Sequence, residues 1–166
     1  RISGAATAAD CDHVVEILGD NPFVHSELID DVVGLHLQGD YDYVSNITNE
    51  YEQADSKLKR FSLGIRVQVY KRKLAEAYVD YPETDNYSAY MFNNPDVFKV
   101  GYLEAAGKWL FANRPGLNFA VNYKKNFEFA NRVFTENYDN AKNFTLESIY
   151  QQLDKQPELI ELLGAE

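Results

Sequence analysis

Apolar residues recur at intervals of three and four along much of this chain. Val44, Ile47, Tyr51, Ala54, Leu58, Phe61 and Ile65 follow one another at spacings of 3, 4, 3, 4, 3 and 4, the stripe of a helix packed along one side. Val67, Tyr70, Leu74 and Ala77 continue on a shifted stripe, and KRKLAEAYV is built mostly of good helix formers. A second pattern competes with the first. Phe61, Leu63, Ile65, Val67 and Val69 alternate with Ser62, Gly64, Arg66 and Gln68, the period of a half-buried strand. The longer stripe predicts helix over 60–73, inside a helical stretch from 41 to 79. A straight helix of that span would measure roughly 60 Å, against a radius of gyration of about 15 Å for such a domain. A break near Asp55-Ser56 or Gly64 is therefore expected.

The same reasoning places the other elements. Thr7 and Asp10 resemble a capping box before Cys11, Val14, Val15 and Leu18, with Gly19 as the stop. Ser26 can cap a second helix whose Ile29, Val32, Val33 and His36 share a face up to Gly39. Asn94, Pro95 and Asp96 form a strong helix start. Phe98, Gly101, Tyr102, Ala105, Trp109 and Ala112 then line one face, with Trp109 in the core. Leu117, Phe119, Val121 and Tyr123 alternate, while Ala120, Tyr123, Phe127, Ala130 and Phe134 keep heptad spacing. Leu146, Ile149, Tyr150 and Leu153 form a further helix, and Pro157 begins a new turn. The expectation is a single all-α domain over 1–166, an irregular bundle of five to seven helices around a central helix near 95–112. Residues 1–6 would be a flexible N-terminal extension. The alternative is a mostly α fold with a small two-stranded antiparallel sheet from 61–70 and 117–123.

Charge adds a layout that the apolar pattern does not show. The 166 residues carry a net −10, but residues 1–55 hold twelve carboxylates and one base, while 56–73 hold seven bases and no acid. Lys57, Lys59, Arg60, Arg66, Lys71, Arg72 and Lys73 thus form a candidate docking strip for an acidic partner or an anionic lipid surface. The competing reading is internal pairing with the acidic segments. The surrounding negative field argues against nucleic acid. The 12 Tyr and 10 Phe residues are enough to fill a core and leave rings for an interface. No apolar run approaches the length of a membrane span.

Candidate chemistry is sparse. Cys11 is the single cysteine, which excludes an intramolecular disulfide and Cys-rich zinc patterns and suits a small core residue. Asp10-Cys11-Asp12-His13 offers metal donors, but consecutive helical residues point apart, and His36 on its apolar face reads as a core histidine. No G-x-S-x-G, H-E-x-x-H, Walker A, G-x-G-x-x-G or EF-hand pattern occurs. Neither catalytic residue, metal ligand nor cofactor is therefore assigned. Sequons at Asn46, Asn86 and Asn143, with small residues near the N-terminus, suggest a secreted protein or an organelle lumen. These features together suggest a non-catalytic helical subunit or adaptor, binding another protein or a membrane-associated complex through aromatic and basic surfaces. Two alternatives stand beside it: a carrier of an apolar ligand or pigment, and an enzyme of unrecognised type.

Overall fold

The alternation in Val67-Gln68-Val69-Tyr70-Lys71 settles as a strand, because both faces of that strand are covered and it has a partner on each edge. In the computed structural model, which describes residues 2–77, 87–137 and 144–164, four strands form one mixed sheet. These are β1 (His13–Ile17), β2 (Tyr43–Asn46), β3 (Val67–Lys71) and β4 (Val100–Leu103), in the order β1-β3-β2-β4. The central strand β3 runs antiparallel to β1 and β2, and β4 runs parallel to β2. The six α-helices of the described residues are α1 (Ile2–Ala8), α2 (Ser26–Gly39), α3 (Arg72–Ala77), α4 (Tyr87–Asn93), α5 (Lys124–Asn137) and α6 (Leu146–Lys155). Two 3₁₀ segments, Gly107–Ala112 and Pro157–Leu163, complete the elements.

This architecture corrects the all-α expectation. The long helix expected over 41–79 is instead β2, an irregular loop, β3 and the short helix α3. The central helix expected near 95–112 is β4 followed by a 3₁₀ segment, and the start signal at Asn94 produces one turn, with Val97 and Phe98 N–H groups donating to the Asn94 carbonyl. The short helix expected around Cys11 to Leu18 is the strand β1. Where a flexible extension was expected over 1–6, Ile2–Ala8 form α1, with Ala6 buried. The alternative small sheet also fails in its detail. Residues 117–123 contribute only an isolated bridge between Leu63 and Asn118, and it is parallel. Helices α2 and α6 lie where their patterns place them, with His25 rather than Ser26 as the N-cap of α2 and a Thr145–Ser148 capping box on α6.

The register explains how one chain fills two cores. Val15, Val69, Val44 and Gly101 form one row across the sheet, and Val14, Tyr70, Tyr43 and Val100 the next, facing the other way. The first face packs with Leu28 and Val32 of α2, with α5, α6 and Trp109; the second packs with Ile47, Tyr51, Met91 and Phe92. Trp109 is 4% exposed, as expected of a core residue, and donates its indole N–H to Asp31 Oδ2 at 2.7 Å. Gly64 has φ +78, and a Cβ there would lie 2.0 Å from the Ala120 backbone nitrogen. This close approach lets the 61–66 segment run against 117–120, with Leu63 N–H donating to the Leu117 carbonyl and Phe119 N–H to the Leu63 carbonyl.

Candidate functional site

Beyond the Val15–Gly101 row, on the side away from Val14 and Tyr70, runs a polar one. Glu16, Gln68, Ser45 and Tyr102 stand side by side across the four strands, on the face that also carries Tyr43 and Tyr70. Gln68 and Ser45 are 1% and 0% exposed, so their polar atoms must be met from within. The Tyr43 hydroxyl donates to Gln68 Oε1 at 2.7 Å and lies 2.8 Å from the Tyr51 hydroxyl, which donates to Ser45 Oγ at 2.6 Å. Ser45 Oγ in turn donates to the Val67 carbonyl at 2.8 Å. At the outer strand, the Tyr70 hydroxyl donates to Glu16 Oε2 at 2.9 Å. Burial pushes the Tyr51 hydroxyl up to about 12, against the pull of Arg66 and the Ser45 and Tyr43 hydrogen bonds. Tyr43 is likewise raised, by burial first and then by its proximity to Tyr51. Both stay protonated and act as hydrogen-bonding groups.

Arg66 sits at the edge of this row, one residue before β3 begins. It is 8% exposed, its Nη1 pairs with Glu50 Oε2 at 3.1 Å, and its Nε is buried with no partner. Burial alone would lower the guanidinium's pKa, but Tyr51, Glu50, Tyr43 and Glu16 outweigh it and hold the group above its ordinary value. A fixed cation with donors left over can hold oxygen atoms of a ligand; left unmet, a buried donor costs about 1–3 kcal/mol.

The position matters as much as the groups. Because β1, β2 and β4 share one direction and β3 the opposite one, the ends of β1, β2 and β4 and the start of β3 meet at one rim. In open α/β sheets that rim, outside the carboxyl ends of the parallel strands, is where ligands bind. Leu18 to Asn21, Asn46 to Glu50, Arg66 and Glu104 all lie there. Asn46 pins the rim: its Nδ2 donates to the Ile65 carbonyl at 3.2 Å and its Oδ1 accepts from the Val67 N–H at 2.7 Å. Arg60 fixes the following loop by donating to the carbonyls of Thr48, Tyr51 and Ala54 at 2.7, 3.1 and 3.2 Å. The Val121 N–H donates to the Asp20 carbonyl at 2.8 Å and closes the rim on the α5 side.

Of the seven bases singled out by charge, Arg66 is buried and Arg60 half-buried, Lys71 pairs with Asp40 and Asp42 at 2.9 and 3.1 Å, and Arg72 reaches Asp10 and Glu76 at 3.4 and 3.7 Å. Lys57, Lys59 and Lys73 are exposed. Sequence reasoning found Arg66 for its charge but missed the row behind it. The signal was the alternation itself, which as a strand puts Arg66, Gln68 and Tyr70 on one side. Within the Asp10 to His13 run, only His13 meets another possible ligand, His36, and among the described residues no group of three or more His, Cys, Asp or Glu converges. Asn46, the first residue of a sequon, is 0% exposed; Asn86 and Asn143 lie outside the described residues.

Comparison with known proteins bears on the fold. No family model matches the chain. It is 28% identical over 163 residues to an uncharacterized protein of Methanocaldococcus jannaschii, covering 96% of this chain and 60% of that one. Its fold is similar to that of a cytidylyltransferase from Leptospira borgpetersenii, with a TM-score of 0.79 at 18% identity over 99% of this chain and 65% of that chain. The chain therefore spans less than two thirds of the length of either protein. The expectation of a non-catalytic helical subunit is overturned with the helical bundle: the chain has an α/β fold with a four-stranded mixed sheet, similar to that of a cytidylyltransferase.

Proposed function

We propose that this chain serves an enzyme that transfers a cytidylyl or related nucleotidyl group, and that the polar row behind Arg66 holds the acceptor. In such a reaction an acceptor oxygen attacks the α-phosphorus of the nucleoside triphosphate, the new P–O bond forms, pyrophosphate leaves, and the acceptor's proton passes to a base or to solvent. The protein's part is mainly to position the reactants and to stabilise charge. Arg66 would hold an oxygen-rich group through its spare donors. Glu50 and Glu16, both beside it, would accept hydrogen bonds from hydroxyls. The Tyr43, Tyr51, Ser45 and Gln68 chain would keep these groups in place, because each of its members is already fixed by another. The triphosphate would arrive as its magnesium complex, the ion being bound largely by phosphate oxygens.

The single observation that carries this reading is the buried Arg66, with an unpartnered Nε, at the carboxyl rim of a sheet whose fold matches a cytidylyltransferase. Its test is calorimetric titration of the chain with magnesium CTP and, separately, with polyhydroxylated carboxylates and phosphates. Saturable binding of one such acceptor that Arg66→Ala weakens at least tenfold is expected. Absence of binding by every nucleotide and every acceptor would overturn it.

A further inference from the structure

The outer edge of β1 has no strand beside it among the described residues, since the sheet order begins there. Val15 and Ile17, alternate residues of this strand, are 44% and 41% exposed although they face the same way as the buried Val69 and Val67. Helix α2 covers β2, β3 and β4 on that face and meets β1 at its start, where His36 touches His13, while Val15 and Ile17 beyond that contact stay exposed. The apolar surface continues past Leu18 into a cleft of about 330 Å³ between the Gly19 to Pro22 turn and α5, walled by Val121, Phe127, Ala130 and Phe134. Phe127 is 61% exposed and Phe134 39%.

A soluble chain seldom leaves such a combination open. Exposed edges are usually blunted by Lys, Pro or a bulge, yet β1 reads His-Val-Val-Glu-Ile and pairs with β3 at every position from His13 to Ile17 without a bulge. Contiguous apolar patches with large exposed side chains mark surfaces that something else covers.

We propose that the β1 edge and the Phe127–Phe134 cleft receive a strand-and-helix segment equivalent to the part of the longer relatives that lies outside the stretch this chain matches. The segment's strand would pair with the free edge of β1, and its helix would lie over Val15, Ile17 and the cleft, continuing the layer begun by α2. Length supports this occupant over a second copy. The fold match takes in 99% of this chain and only 65% of the cytidylyltransferase, and the archaeal relative is likewise matched over 60% of its length, so each carries substantial further polypeptide outside the matched stretch. The inference stands on the edge, the cleft and the relative lengths, and does not depend on the nucleotidyl-transfer reading.

The test pairs this chain with the unmatched portion of the Methanocaldococcus jannaschii relative, produced as a separate polypeptide. Co-elution as a 1:1 complex is expected, with amide exchange at residues 14–17 slowed at least tenfold in the complex. The double variant Val15→Lys/Phe127→Asp alters two exposed positions, so it should keep the circular dichroism and melting curve of the parent while losing at least tenfold in affinity. Three results would overturn the proposal: no complex, a complex indifferent to the double variant, or concentration-dependent protection of residues 14–17 in the chain alone, which would assign the surface to a second copy.

Discussion

His13 and His36 meet ring nitrogen to ring nitrogen, with His13 Nδ1 2.9 Å from His36 Nε2, and so join the start of β1 to the last turn of α2. One ring must donate and the other accept, so the contact is incompatible with two imidazolium ions. His36 is 1% exposed and its Nδ1 is buried without a partner. Burial first, and then His13 and Lys71, hold its pKa down to about 4 from 6.5, with Asp42 and Asp40 opposing.

A pH dependence of stability follows from that depression. Between pH 6.5 and 4 the unfolded chain binds a proton that the folded chain refuses, so stability is full above about 6.5 and is lost as pH falls towards 4. Each unit of depression corresponds to about 1.4 kcal/mol. Urea unfolding measured from pH 7 to pH 4.5 should show this loss, and His36→Leu should flatten it. A parent profile with no slope attributable to His36 would refute the assignment.

Gly64→Ala should be among the most damaging small substitutions. The added methyl would sit 2.0 Å from Ala120 N and 2.4 Å from the Phe119 carbonyl carbon, at φ +78, so strain and overpacking act together. A loss of about 2–4 kcal/mol is expected, read as a lower urea midpoint. Gly4→Ala, with nothing within 4 Å, is the control.

Trp109 carries two separable contributions. Trp109→Ala removes a buried ring packed against Phe61 and Phe111 and should cost about 3–5 kcal/mol. Trp109→Phe keeps most of the apolar area but removes the donor to Asp31. Lys108 Nζ still reaches Asp31 Oδ2 at 2.8 Å, so the loss should be about 1 kcal/mol. Equal losses in the two variants would show that the hydrogen bond, and not the packing, dominates.

Asn46 should carry no glycan in the folded protein, although Asn46-Ile47-Thr48 is a sequon. Both amide atoms are engaged, with the Ile65 carbonyl and the Val67 N–H of β3, and the side chain is fully buried. Peptide mass spectrometry of folded material from a secretory host should find Asn46 unmodified. A glycan at this position on protein with native circular dichroism would contradict the buried rim.

The sequence by itself determined which residues of two stretches are inside, but not those of the Ala120 to Phe134 stripe, where Tyr123, Phe127 and Phe134 are exposed. All seven members of the stripe from Val44 to Ile65 are buried or half-buried, and so are Gly101, Ala105, Trp109 and Ala112. It also determined the elements whose period is carried by one continuous face, α2 and α6. It did not determine conformation along that stripe, because spacings of three and four report burial at intervals and not the path between them. In the folded chain Val44, Phe61 and Ile65 belong to one core, and Ile47, Tyr51, Ala54 and Leu58 to the core on the other side of the sheet. A strand in the middle of a sheet is buried on both faces, so its alternation is masked, and a five-residue strand offers too few positions to outweigh a stripe of seven.

Only the tertiary structure decided the strand order and hence the site. Arg66 and Gln68 read in sequence as the solvated half of an alternating run. They become interior because the loop from Ile47 to Leu58 and helix α4 cover that face, bringing Tyr51 and Glu50 to meet them. Register across four strands then lines up Glu16, Gln68, Ser45 and Tyr102 from segments up to 86 residues apart in the chain. No local pattern encodes that alignment, since it depends on which strands become neighbours, and that is settled by the pairing of backbone groups and the closing of two cores at once.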